Sequence, residues 1–177
     1  MSAPIHSVSD WQSAYFDMII DVRSPEEFQI DHIPSAVNMP VLTDSQRAEI
    51  GKIYKEISPF EARKLGASYV SKNISAHVKN RLLTRNREFK PLVYCWRGGQ
   101  RSGAFSRVLS EIGWQTYQLE GGYKTYRKGV ISNLNNCSCK IKLIRLAGYT
   151  GAGKTKVLHL LRQKGKQVID LEQIAGH

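Results

Sequence analysis

The sequence predicts an α/β protein built on a mostly parallel sheet. Three observations lead there. Short apolar strand patterns alternate with helical ones along most of the chain. Two loops with paired or spaced glycines each follow a strand pattern and precede a helix pattern. The composition, 41% apolar and 23% charged, is that of a globular chain rather than a disordered tail or a fibre.

The elements follow in order. Met18 to Val22 is an apolar run and reads as the first strand. Ser24-Pro25-Glu26-Glu27-Phe28 starts a helix, with Ser as N-cap, Pro at the first helical position and acids in the first turn. His32 to Pro40 reads as a loop with a short extended segment, and Thr43 to Ile57 as a helix. Pro59 to about Leu83 is a long helical stretch, with Leu65, Tyr69, Ile74, Val78 and Leu82 near one face. Pro91 to Cys95 is a buried-strand pattern broken by Gly98-Gly99, after which Ser102 to Ile112 is helical. Gln115 to Leu119 reads as a strand, followed by Gly121-Gly122 and a helix to about Leu134. Asn133 to Ser138 is polar and reads as a linker. Beyond it, Lys140 to Ala147 and Gln167 to Leu171 read as strands around a helix from Lys154 to Lys164. The expected organisation is therefore a domain at 1–134, a linker at 135–139 and the beginning of a second domain at 140–177.

No apolar run approaches the ~20 residues needed to cross a bilayer. Met1 to Ser13 lacks the basic-then-apolar pattern of a secretory signal. Three cysteines do not make a disulfide framework. A cytoplasmic protein with reduced thiols is the expectation. The net charge is +11, and it is unevenly placed. Gly121 to Ile169 contains eleven Lys/Arg and no Asp or Glu, whereas residues 1–120 are nearly balanced. Such a block favours a polyanionic partner: nucleic acid, phosphate esters or an acidic surface.

Cys95-Trp96-Arg97-Gly98-Gly99-Gln100-Arg101-Ser102 carries the first chemistry. A turn between a strand end and a helix start aims successive N–H groups at one point, making an anion nest. Gly98 and Gly99 are expected to supply positive φ values. Arg97 adds charge, and Arg101 is a candidate to grip an oxyanion with its fork. The same field lowers the pKa of the Cys95 thiol below the free value of about 8.5, giving a nucleophile beside the anion it attacks.

Asp21-Val22-Arg23 with Glu27-Phe28, then His32-Ile33-Pro34-Ser35-Ala36-Val37-Asn38, resembles the N-terminal signature of rhodanese-type sulfurtransferases. The resemblance implies a rhodanese-like domain, a central parallel sheet flanked by helices, whose Cys loop carries a chalcogen as a persulfide. It also implies that Asp21 and Arg23 pair structurally and that His32 packs or hydrogen-bonds within its loop. Five residues separate Cys95 from Arg101, one more than the common rhodanese loop. The longer form resembles rhodanese-fold phosphatases and arsenate reductases, and implies a phosphate-sized anion or a selenium donor.

Gly148-Tyr149-Thr150-Gly151-Ala152-Gly153-Lys154-Thr155 matches G-x-x-x-x-G-K-[ST], the P-loop pattern. Gly148, Gly151 and Gly153 let amides wrap a phosphate chain, Lys154 supplies charge and Thr155 is a candidate Mg²⁺ ligand. Only 22 residues follow Thr155, so the rest of a P-loop sheet is missing, and a two-stranded parallel unit is poorly stable alone. Cys137 and Cys139 lack further ligands for a tetrahedral metal, and no metal site is expected.

The two motifs in this order resemble the family of tRNA 2-selenouridine synthases along essentially the whole chain, with the family's C-terminal half absent. That resemblance implies a tRNA-modifying transferase that replaces sulfur by selenium in 2-thiouridine at the wobble position. It implies selenophosphate as donor, an S-geranyl intermediate made from geranyl diphosphate, tRNA as partner, and a selenophosphate-producing enzyme as a further one. Cys95 would carry the selenium, and the loop at 148–155 would hold a diphosphate. The alternatives are a phosphatase or sulfurtransferase of the rhodanese fold, or an inactive tRNA-binding fragment. A chain of this length is expected to be weak or inactive in selenium transfer. Oligomeric state and substrate tRNAs are silent.

Overall fold

The computed structural model describes residues 2–9, 11, 16–137 and 142–176. They form two compact units, Met1–Asn135 and Asn136–His177.

The first unit is organised by five parallel strands: β1 (Ile5–Val8), β2 (Met18–Asp21), β3 (Val37–Asn38), β4 (Pro91–Tyr94) and β5 (Thr116–Leu119). Their order is β1-β5-β4-β2-β3, which makes β4 the central strand. All four β4 residues are buried, as a parallel strand covered on both faces requires. The pleat sends alternate side chains to opposite faces. Val93, with Ile20 and Val22, joins Met39, Ile74, Leu82, Phe105, Leu109 and Trp114 on one side. Leu92 and Tyr94 join Ile33, Leu119 and Tyr123 on the other.

The helices are α1 (Pro25–Ile30), α2 (Asp44–Glu56), α3 (Pro59–His77), α4 (Gln100–Ile112) and α5 (Tyr123–Cys137), with a π-helical turn at Val78–Leu82 continuing α3. Their starts are written locally. The Thr43 hydroxyl accepts the Gln46 N–H at 3.2 Å while the Gln46 side chain accepts the Thr43 N–H at 2.9 Å, a reciprocal capping box. The Ser58 hydroxyl accepts the N–H groups of Phe60 and Glu61. Gly113 ends α4 at φ 106°, a left-handed cap open to glycine.

Three features differ from the sequence expectation. Strand β1 is not read from the sequence: Ile-His-Ser-Val lies on the sheet edge and its residue types do not alternate apolar with polar, although exposure alternates along it in the fold. The expected linker at 135–139 is helical as far as Cys137, because a helix whose first turn is anchored by buried Tyr123 extends at one hydrogen bond per residue. Ser138, Cys139 and Lys140 lie outside the described residues.

In the second unit the helices are α6 (Lys154–Gln163) and α7 (Leu171–Ala175). No strand occurs among its described residues, so the strands expected at 140–147 and 167–171 are not formed over 142–147 and 167–170, and Leu171 opens α7 instead. A strand exists only through its ladder, and a lone parallel pair lacks the sheet that would cover it. Leu143, Ile144 and Leu146 are accordingly exposed.

Candidate active site

The carboxyl ends of β2, β4 and β5 meet at one edge of the sheet, where ligands of open parallel sheets bind. Cys95 stands immediately after β4 and is 4% exposed. Its Sγ lies 3.3 Å from the Ser102 Oγ in the first turn of α4. Burial opposes ionisation of the thiol. The Ser102 hydroxyl and the N–H groups of Ser102, Arg97 and Gly99 outweigh that effect and hold the pKa below the ordinary thiol value. The N-terminus of α4 adds its positive end to the same ring.

The ring is built backbone against backbone. Gly98 adopts φ 67°, and a Cβ there would stand 2.7 Å from the Leu119 carbonyl oxygen. Gly122, in the turn after β5, adopts φ 59°; a Cβ would meet the Cys95 carbonyl oxygen at 2.1 Å and the Gly98 nitrogen at 2.7 Å. Gly99, expected to share the positive φ, has φ −98° and open space beside it. The first N–H groups of α5 donate to the loop: Tyr123 to the Cys95 carbonyl at 2.8 Å and Lys124 to the Trp96 carbonyl at 3.2 Å. Gln118, on β5, donates from Nε2 to the Gly98 carbonyl at 2.8 Å and to Ser102 Oγ at 3.1 Å. The Ser102 hydroxyl is also 3.1 Å from the Gly99 carbonyl, so its one proton has two acceptors in reach, that oxygen and the Cys95 sulfur.

Arg101 differs from expectation. Its guanidinium is held by Glu27 of α1, Nη1 to Oε2 at 2.7 Å and Nη2 to Oε1 at 3.4 Å. The fork expected for an oxyanion is filled by the chain's own carboxylate, and Arg101 straps α4 to α1. Glu27 also accepts the Ser24 N–H at 3.2 Å. Burial pushes the Glu27 carboxyl up, but Arg101, the Ser24 amide and Arg47 together hold it below the usual carboxylate range. Arg97 is exposed and forms no ion pair with the described residues.

Asp21 and Arg23 form a buried pair, with Arg23 Nη2 to Asp21 Oδ2 at 2.7 Å and Arg23 Nε to both oxygens near 3 Å. The guanidinium lies over the Tyr123 ring at 4.1 Å. The pair pins the end of β2 beside the Cys loop. His32 Nδ1 is 2.9 Å from the Phe28 carbonyl, and its ring stacks on Phe28.

In the second unit Gly151 and Gly153 take φ 82° and 77°, and α6 begins at Lys154. Lys154 Nζ donates to the carbonyls of Gly148 and Tyr149 at 2.9 and 3.0 Å. Thr155 is exposed in the first turn. No group of three or more His, Cys, Asp or Glu able to hold a metal occurs among the described residues, and no described helix is long and apolar enough to cross a membrane.

Cys95, Arg97 and Gly98 lie in the turn between β4 and α4, as the sequence places them, whereas Glu27 as the partner of Arg101, and Gln118 and Gly122 as walls of the ring, are not read from the sequence. A polar Gln inside an apolar strand and the Gly-Gly after it were the available signals.

The Rhodanese-like domain family model matches residues 6–128. The N-terminal domain of a Clostridium difficile 630 protein, described as ATP/GTP binding, is 40% identical, with TM-score 0.56 over 64% of this chain and 88% of that one. Proteins named tRNA 2-selenouridine synthase from Bdellovibrio bacteriovorus and Nitrosomonas europaea are 40% and 36% identical over 90% of this chain. This chain spans 42% and 41% of their respective lengths. With its parallel sheet, its Asp21–Arg23 pair and its cysteine at the end of the central strand, the chain belongs to the rhodanese-like domain family.

Proposed function

We propose that this chain takes part in tRNA modification as a selenium transferase, exchanging sulfur for selenium in a 2-thiouridine of tRNA, with Cys95 as the nucleophile that releases selenium from its donor. The observation that carries this reading is the Cys95 sulfur at the end of β4, ringed by the N–H groups of Ser102, Arg97 and Gly99 and by the Ser102 hydroxyl, which favour its ionised form. The similarity to proteins named for that activity supplies the substrate class. Gly98, Gly99 and the exposed Arg97 complete the cradle for the donor's anionic group; Arg101 acts by holding α4. The Cys95 thiolate attacks the phosphorus of selenophosphate and expels hydroselenide, hydroselenide displaces geranylthiolate from C2 of S-geranyl-2-thiouridine, and water hydrolyses the S-phosphocysteine; overall, S-geranyl-2-thiouridine, selenophosphate and water give 2-selenouridine, geranylthiol and phosphate, with no net oxidation.

The loop of Gly148, Gly151, Gly153, Lys154 and Thr155 is assigned the diphosphate of the geranyl donor. Its positive-φ glycines and Lys154 fit a phosphate chain. Mg²⁺ there would have the Thr155 hydroxyl as its one ligand from the loop and would neutralise diphosphate charge. The basic stretch 121–169 suits the tRNA backbone.

The test is selenium incorporation into 2-thiouridine tRNA, given selenophosphate and geranyl diphosphate, by wild type and Cys95→Ser. Loss of selenium with Cys95→Ser is expected. Wild-type turnover that survives the substitution overturns the assignment of Cys95. The five-residue spacing to Arg101 also favours a phosphatase. The loop from Cys95 to Ser102 contains no Asp or Glu to protonate a leaving oxygen. Cys95-dependent hydrolysis of an aryl phosphate would establish that second reading.

A further inference from the structure

Trp96 follows the nucleophile directly in sequence, yet it is 42% exposed, while Trp114 is buried. An indole on the surface forgoes the burial that its area would otherwise contribute. Here its position is fixed rather than incidental. The Trp96 carbonyl accepts the Lys124 N–H, which ties the residue to the first turn of α5. The ring is supported from below by Tyr123, with centroids 5.3 Å apart and planes 33° apart, and by the Arg23 guanidinium at 5.9 Å. Arg23 is itself locked by buried Asp21, so the support is rigid. A braced aromatic surface therefore stands open at the residue that follows the nucleophile.

The carboxylate at its support, Asp31, takes the Tyr123 hydroxyl and pairs with Arg127, and the neighbouring lysines are left without an acidic partner among the described residues. Lys124 and Lys128 are exposed, lie one turn apart on the same side of α5, and form no ion pair with the described residues. Their line begins at the residue bonded to the Trp96 carbonyl. An aromatic platform continued by cations is the arrangement that takes an unpaired nucleotide, base on the ring and phosphates on the lysines.

We propose that Trp96 is the stacking platform for the target pyrimidine, holding the base beside Cys95 while Lys124 and Lys128 take the flanking phosphates. This rests on the tRNA reading above and adds the group that positions the base.

The experiment measures binding of the full chain to two synthetic anticodon stem-loop RNAs at low salt, one with 2-thiouridine at the wobble position and one abasic there. Trp96→Ala is expected to weaken the first by about tenfold, in line with stacking on one base, and to leave the second within about twofold. Trp96→Phe retains most of the affinity. Lys124→Gln weakens both RNAs alike. Intrinsic fluorescence supplies a second readout: base-dependent quenching occurs in wild type and vanishes in Trp96→Phe, which keeps Trp11 and Trp114. The alkylation rate of Cys95 is unchanged in Trp96→Phe if the loop is intact. Equal losses on both RNAs, or no loss, overturn the platform while leaving selenium transfer untouched. Failure of wild type to bind either RNA overturns the tRNA reading and the platform with it.

Discussion

Two loops of this chain are built from the same local recipe and end differently. Each places at least one glycine with positive φ ahead of a helix, with a basic residue at hand. The Cys95 loop is walled by β5 and α5, so that a Cβ at Gly122 would collide with the Cys95 carbonyl. The loop at 148–153 has nothing within 4 Å of a Cβ at Gly151 or Gly153. The first is preceded by a strand in the middle of a five-stranded sheet, the second by residues in no sheet. A motif specifies a turn, but only packing turns it into a rigid site, because amide groups converge on one point only when the surrounding backbone forbids other arrangements.

The largest test of that contrast is chemical. Replacing Cys95 with serine should reduce the weak selenium transfer expected of this chain to background and abolish iodoacetamide labelling at that position, while Lys154→Ala should leave the reactivity of the Cys95 thiol toward iodoacetamide unchanged. Second, Gly122→Ala should destabilise the first unit by about 3 kcal/mol, combining left-handed strain with a backbone collision. Gly151→Ala should cost about 1 kcal/mol or less, from strain alone. Thermal unfolding of the two variants measures the difference, and equal effects would erase the distinction between the loops. Third, Ser102→Ala removes a hydrogen bond to the thiolate and should raise the midpoint of the Cys95 alkylation profile by about one pH unit. Wild type should titrate below a free thiol. Gln118→Ala should move it in the same direction by less.

The smallest effect concerns the Glu27–Arg101 strap. The folded-state pKa of Glu27 is lowered, so its contribution to stability is present above the unfolded carboxylate value of about 4.3 and is lost as pH falls through the folded value. Glu27→Gln should therefore lower stability at neutral pH by about 1 kcal/mol and reduce the loss seen below pH 4. Denaturant melts at pH 7 and pH 3.5 measure both.

Much of the first unit was legible because its information is local. Pro91 to Tyr94 reads as buried from its apolar run, and Ser24-Pro25 writes a helix start. Cys95 with Gly98 and an arginine six residues on reads as an anion loop before any fold is known. What was illegible is what other segments decide. Arg101 reads as free to grip an anion until Glu27, 74 residues away, takes its fork. Gly122 reads as a plain turn until its partner across the sheet edge proves to be Cys95. The apolar run before Gly148 reads as a strand, but pairing is a property of two segments, and its described residues have no partner.

The two amide donors that α5 extends to the Cys95 and Trp96 carbonyls set a boundary for anyone cutting the reactive module out of the chain. A segment stopped at Leu119 would keep every strand and the nucleophile, yet release the peptide that carries the sulfur. The shortest piece expected to retain an acidic thiol reaches past Tyr126, so the last helix of the sheet domain works as a clasp on the reaction centre as well as a cover for the core.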